Sequence, residues 1–376
     1  MIISSRFDGG NIECIDCSDP GEVILEIRSD SQSDFYQWFY FRAADVGGLD
    51  CRYVIRNAGG AAYPKGWENY RAVASYDREY WFRVDTRQDG DNLVIEHSSS
   101  SDQVYFAYFA PYSMERHADL VAFAQTSDRC RAETLGTTLD GQTMDCLRFG
   151  DGGADRARIW MVARQHPGET MAEWWMEGMI GRLVDDSDPV VDAILDKADV
   201  YLVPNMNPDG SRRGNLRTNA AGANLNREWD APSAERSPEV LCVLRKIEAT
   251  GLDFGLDVHG DEALPCNFIA GTEGIASWDD RRQQQLELFK STLASLNPDF
   301  QVERGYPANA PGKANMSYCS NALAERFGKL VMTLEMPFKD ASGTPHPVQG
   351  WSPERCVRLA HSCLDALHLC WDRVIE

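Results

Sequence analysis

The stretch ARIWMVARQHPGETMAEWWMEGMIGRLV (157–184) decides the fold class. Its opening, 157–164, is a short apolar run that reads as a strand. Pro167 and Gly168 impose a tight turn. Glu169 opens a helix that the apolar spacing carries from Thr170 to Val184. The same alternation continues downstream, with strands predicted at 200–205, 253–260 and 329–337 and helices at 238–249, 278–296 and 353–371. Strands and helices in this order predict an α/β domain, a mixed and mainly parallel sheet flanked by helices.

Upstream the texture differs. Val23, Leu25 and Ile27 alternate with polar positions, and FYQWFYFRA (35–43), LDCRYVIRN (49–57), EYWFRV (79–84), NLVIEHS (92–98) and QVYFAYFAP (103–111) are short aromatic and β-branched runs. Turn-formers such as Asn57-Ala-Gly-Gly60 and Gln88-Asp-Gly90 separate them, which predicts an antiparallel β-sandwich. Ser113 is placed to cap a helix running to about Thr126, and a hairpin turns at Asp140-Gly141. The expected organisation is an N-terminal sandwich domain over 1–112 and an α/β domain over 113–376.

Composition limits the partners. Of 376 residues, 37 are basic and 58 acidic, a net charge of −21 that opposes nucleic acid and anionic membranes as partners. No apolar run is long enough to span a bilayer, and the start lacks the basic and apolar pattern of a secretory leader. Eleven scattered cysteines, an odd number, do not resemble a disulfide framework, so a reducing cytoplasm is expected.

The chain has only seven histidines. His166 sits just past a predicted strand and His259 at the end of one, where open α/β sheets gather their ligands. With Glu169 on the turn after His166, two histidines and a carboxylate match a catalytic zinc site with one position left for water. The plainer alternative is a chance His-x-x-Glu. Glu335 lies inside the apolar strand Val331-Met-Thr-Leu-Glu-Met-Pro337, where a carboxylate needs a partner or a task unless it faces outward. Arg212, Arg213, Arg217 and Arg227 cluster in a turn-rich segment, 205–229, read as one long loop. They are suited either to gripping carboxylates or to structural ion pairs.

Taken together, His-Pro-Gly-Glu (166–169), Asn-Pro-Asp-Gly (207–210), Arg217, Asn-Arg-Glu-Trp (226–229), His259 and Glu335 resemble the zinc carboxypeptidases. The Tyr105-Phe-Ala-Tyr-Phe-Ala-Pro-Tyr112 join resembles the cytosolic carboxypeptidase-like branch. The resemblance spans about 35 to 372. It implies His166, Glu169 and His259 as zinc ligands, with Glu335 as general base and then acid. It implies Arg217 as the group that polarises the scissile carbonyl, and Asn226 and Arg227 as the grip on the substrate's terminal carboxylate. Tyr318, with Tyr306 behind it, is the candidate for a tyrosine on a mobile loop. The implied partner is a peptide or protein C-terminus, or a glutamyl side-chain bond. Acidic terminal residues are expected by analogy with the resembling branch, which is associated with removing glutamate, and the arginine cluster gives that expectation local support. The sequence says nothing of oligomeric state. One departure stands out: Asn224 occupies a position where the family commonly has an Asp that orients a zinc-bound histidine. Two other functions compete, a zinc deacylase of small N-acyl amino acids and a peptide-binding protein without turnover. Cys14-x-x-Cys17 and the Cys356, Cys363, Cys370 stripe read as structural.

Overall fold

The computed structural model describes residues 1–375. The N-terminal third forms two five-stranded sheets. One orders Ile2–Ser4, Tyr40–Ala44, Gln103–Ala107, Val73–Ser75 and Phe82–Arg83; the other orders Glu13–Asp16, Val23–Glu26, Asp50–Ile55, Asn92–Ser98 and Asp85–Asp89. All pairings are antiparallel except one, between Val23–Glu26 and Asp50–Ile55. The aromatic runs fill the space between the sheets: the Phe106 ring lies 5.3 Å from Phe41 on its own sheet and 4.8 Å from Tyr53 on the other. Rings of this size bury enough apolar surface to join two sheets.

The rest of the chain builds one seven-stranded sheet in the order Cys130–Thr137, Thr143–Phe149, Ala198–Val203, Ala157–Ala163, Phe254–Asp261, Leu330–Pro337, Phe268–Ala270. The four consecutive strands from Ala198–Val203 to Leu330–Pro337 are parallel and the edges antiparallel. Every residue of Ala198–Val203 and of Phe254–Asp261 is buried, as expected for strands covered on both faces by helices. Helix Thr170–Val184 packs on helix Pro353–Val374 so closely that a side chain at Gly178 would meet the Val357 backbone. Cys356, Cys363 and Cys370 are buried in this core. Ser113 caps helix Met114–Ala124 by accepting the Arg116 N–H. Ser352, at the start of helix Pro353–Val374, makes no side-chain cap; its hydroxyl donates to the Glu354 carboxylate.

Arg83 ties the two parts together. Its buried guanidinium donates to the carbonyls of Arg71, Phe338, Gln349 and Trp351. Part of the expected 205–229 loop is a short helix, Pro208–Arg213, because Asn207 caps it, Pro208 starts it and Gly214 ends it in the left-handed region.

Candidate metal centre and active site

The parallel strands end at one rim, and the turn after Ala157–Ala163 is held there under strain. Arg164 adopts a left-handed backbone, φ 57°, which a residue with a side chain takes only when its surroundings fix it. The fixings are its own bonds: Nε to the Pro167 carbonyl at 3.0 Å, and Nη1 to the Tyr112 carbonyl at 2.9 Å and to Glu173 at 2.5 Å. The reversal brings His166 and Glu169 over the strand ends. Gly168 fits closely here, since a Cβ would stand 3.0 Å from the Leu216 carbonyl oxygen and that segment would have to shift by a few tenths of an ångström.

His166, Glu169 and His259 offer ligand atoms that all lie within 4.8 Å of one another. His166 Nδ1 is 2.7 Å from Glu169 Oε1, His259 Nδ1 is 2.8 Å from Glu169 Oε2, and the two Nδ1 atoms are 3.2 Å apart. Ligands about 2.05 Å from a tetrahedral zinc are separated by roughly 3.3 Å, so the donor set fits that ion. The outer ring nitrogens face away. His166 Nε2 lies 3.0 Å from Asn224 Oδ1, and His259 Nε2 lies 2.9 Å from Asp257 Oδ2. Burial, and then the Arg217 charge, push His166 down to about 4, which leaves the ring neutral. Burial works against a charge on Glu169, but His166 and His259 outweigh it and hold the carboxylate ionised.

Glu335 sits on the neighbouring parallel strand, in register with His259. It is buried, faces the cleft, and its Oε2 has no hydrogen-bond partner in the protein. Burial raises its carboxyl well above the usual carboxylate range, opposed by His259 and reinforced by Glu169, Asp261 and Glu262. An outward-facing strand residue is therefore not what Glu335 is. Arg217 projects its guanidinium over the Tyr63 ring, 5.2 Å from the centroid, with Nη1 3.6 Å from Glu169. Arg227 stacks on Tyr318 at 3.8 Å, and Asn226 is fixed by accepting the Cys319 N–H. All line one cleft of about 570 Å³ with the three clustered residues. Tyr306 lines it as well. Its hydroxyl donates to Asp261 at 2.5 Å and lies 3.4 Å from Glu335 Oε1, so Tyr306, not Tyr318, has its hydroxyl beside that carboxylate.

Two members of the arginine cluster lie elsewhere. Arg212 and Arg213 end helix Pro208–Arg213 and do not line the cleft; Arg213 pairs with Asp140 at 2.7 Å. The support they gave to an acidic preference is absent.

Sequence reasoning missed Asp257 and Gln165. Gln165 Nε2 donates to both Asp257 oxygens at 2.8 Å, and Gln165 Oε1 accepts the Trp229 indole N–H at 2.8 Å. The available signal was the Asp-x-His spacing at 257–259, which puts both side chains on one face of a strand. It also missed Tyr63 and Asp30, which have no local signal because they act across more than 150 residues of chain.

Residues 3–109 match the family described as cytosolic carboxypeptidase N-terminal domain, and residues 116–246 match zinc carboxypeptidase. A Zymomonas mobilis protein, itself described as uncharacterised, is 50% identical over 97% of this chain and 95% of its own length. The crystal structure of a metallo-carboxypeptidase from Burkholderia cenocepacia is similar at 45% identity and TM-score 0.96, over 99% of each chain. A metallo-carboxypeptidase from Pseudomonas aeruginosa, in complex with (2-guanidinoethylmercapto)succinic acid, is similar at 44% identity and TM-score 0.97, over 100% of each chain.

Proposed function

Because this chain belongs to the zinc carboxypeptidases, with the N-terminal domain of the cytosolic branch, it is a metallocarboxypeptidase, and we propose that it removes C-terminal residues from peptides at the His166, Glu169 and His259 centre. The observation that carries this reading is the meeting of two inward Nδ1 atoms and Glu169 beside the free Oε2 of Glu335, all on one cleft. His166, Glu169 and His259 would hold the zinc, which when bound supplies Lewis-acid chemistry to water and the scissile carbonyl.

The other steps belong to this chain's side chains. Glu335, whose Oε2 is free beside the three clustered residues, takes a proton from the attacking water and returns it to the leaving amine. Arg217 presents its guanidinium to the carbonyl oxygen as negative charge develops there. Asn226 and Arg227 grip the terminal carboxylate, and Tyr318 steadies Arg227 from beneath. On this reading residues 1–112 are a sandwich domain and 113–376 the catalytic domain.

The remaining cleft wall includes Glu273, Lys290, Ser320, Asn321 and Thr333. A large apolar side chain would leave such groups unpaired, so polar and charged terminal residues are the proposed class. All eleven cysteines are free thiols, which supports placement in a reducing cytoplasm; no described helix is long and apolar enough to cross a membrane.

Mass spectrometry of a peptide library, with and without chelator, tests the reading. Loss of single C-terminal residues that the chelator abolishes is expected. Release of acyl groups from N-acyl amino acids with peptides left intact would favour a deacylase, and binding without cleavage a silent receptor. A matched series ending in Glu, Asp, Lys, Leu or Phe tests the wall; a higher kcat/KM for Leu or Phe would overturn its assignment.

A further inference from the structure

The segment that carries Arg217 has little structure of its own. Between Gly214 and Ala223 there is neither helix nor strand, so its backbone N–H groups must find partners outside regular structure. Asn215, Asn219, Ala221, Gly222 and Ala223 find theirs within or beside the segment, and one buried carboxylate of the N-terminal part takes the three around Arg217. Asp30, in the connection between Val23–Glu26 and Tyr40–Ala44, accepts the N–H of Leu216 at 2.6 Å, of Arg217 at 2.7 Å and of Thr218 at 2.9 Å, and the Thr218 hydroxyl at 3.1 Å. Charge-assisted bonds of this kind are the strong ones. The Leu216 carbonyl in turn accepts the Gly168 N–H at 2.9 Å, inside the turn between His166 and Glu169.

Neighbouring contacts hold the same segment on both sides. Asn11 Nδ2 donates to the Gly214 carbonyl at 2.9 Å, and Gln32 Nε2 to the Ala220 carbonyl at 3.0 Å. Tyr63, also from the N-terminal part, carries the Arg217 guanidinium on its ring. Backbone and side chain of Arg217 are thus both placed by residues before position 64.

We propose that Asp30 is a positioning residue for Arg217, and that the N-terminal sheets are a working part of the active site through it. This rests on the role assigned to Arg217 above. An isosteric Asp30→Asn change turns an NH₂ toward backbone N–H donors and releases the segment. Misplacement of a catalytic group by about 1 Å costs on the order of a hundredfold.

The test is a double-mutant cycle in kcat and KM on a peptide cleaved by the wild-type enzyme, using Asp30→Asn, Arg217→Ala and their combination. The expected result is a loss in kcat of roughly tenfold to a hundredfold for Asp30→Asn, with zinc content unchanged. In the Arg217→Ala background the same change should cost almost nothing, because the group it positions is gone. Asp30→Ser, smaller and able to admit water, serves if the first variant does not fold. Wild-type kcat in a folded Asp30 variant overturns the proposal. So does an equal loss in both backgrounds, or failure of both variants to fold, which assigns Asp30 to folding alone. Should Arg217→Ala itself match the wild type, the assigned role of Arg217 fails instead, a result distinguishable from the others.

Discussion

Replacing Asp257 by Asn should weaken zinc binding while leaving all three ligand residues in the chain. Asp257 is fully buried in the strand Phe254–Asp261, and its Oδ2 accepts the outer N–H of His259 at 2.9 Å. Both its oxygens also accept Gln165 Nε2 at 2.8 Å. An asparagine has one oxygen for these two donors, and its own NH₂ must oppose either the imidazole or Gln165. The change therefore removes a charge that makes the ring a better donor and loosens its orientation. Losing such a partner typically costs 10- to 100-fold in metal affinity, about 1.4 to 2.8 kcal/mol. The other histidine is the internal contrast. His166 meets only the neutral Asn224 oxygen, so Asn224→Asp should tighten zinc binding, and the paired exchange should recover much of what Asp257→Asn loses. The assay is competition for zinc between metal-free protein and a chromophoric chelator, with thermal unfolding of the metal-free forms as the check on folding. A folded Asp257→Asn protein with a zinc Kd within about twofold of the wild type would refute the reasoning.

Glu335→Gln should keep the fold and one equivalent of zinc by metal analysis while losing on the order of a hundredfold or more in kcat; a near-native rate would remove Glu335 from the mechanism. His117 gives a pH prediction. Burial opposes its charge, but Glu173 at 2.6 Å and Asp145 at 3.3 Å outweigh it and push it up to about 9. The folded value lies above the ordinary 6.5, so this stabilisation is complete below about pH 6.5 and is lost as pH rises through about 9. Thermal melts of His117→Gln should therefore fall less over that window than those of the wild type, and parallel curves would contradict the assignment. Two glycines of helix Thr170–Val184 should respond oppositely to alanine. At Gly178 the new Cβ would stand 2.7 Å from the Val357 Cα, and at Gly181 it meets nothing within 4 Å. Urea unfolding should show Gly178→Ala destabilised by about 1–3 kcal/mol and Gly181→Ala stabilised by up to about 1 kcal/mol; equal stabilities would show that the helix contact yields.

What the sequence made legible follows the strength of local signals. Helix Thr170–Val184 and strand Asn92–Ser98 fall where they were expected, because apolar spacing and flanking turn-formers agree. Strands Glu13–Asp16 and Asp85–Asp89 were missed because they are largely exposed sheet edges with no apolar alternation to read. Helix Cys319–Phe327 was missed because small and polar residues dominate its first turn. In the site, residues carried by a compact motif could be read directly, and the structure brings His166, Glu169, His259 and Glu335 together. Asp30 could not be read: its partners lie 186 to 188 positions away, and nothing near it signals the contact. Tyr318 and Tyr306 could be named from the sequence but not ordered, since only the folded cleft decides which hydroxyl reaches Glu335.

The register of strands Phe254–Asp261 and Leu330–Pro337 places His259 opposite Glu335. Their separation is thus inherited from the backbone ladder, where adjacent strands lie about 4.8 Å apart, and no side-chain substitution can retune it. A one-residue slip would turn Glu335 to the opposite face of the sheet, so the chemistry is inseparable from the architecture. The loop residues 302–309, by contrast, overhang the cleft from outside the sheet. A directed-evolution library for new substrates belongs in that overhang, where variation can redraw the cleft while the reactive spacing beneath stays frozen.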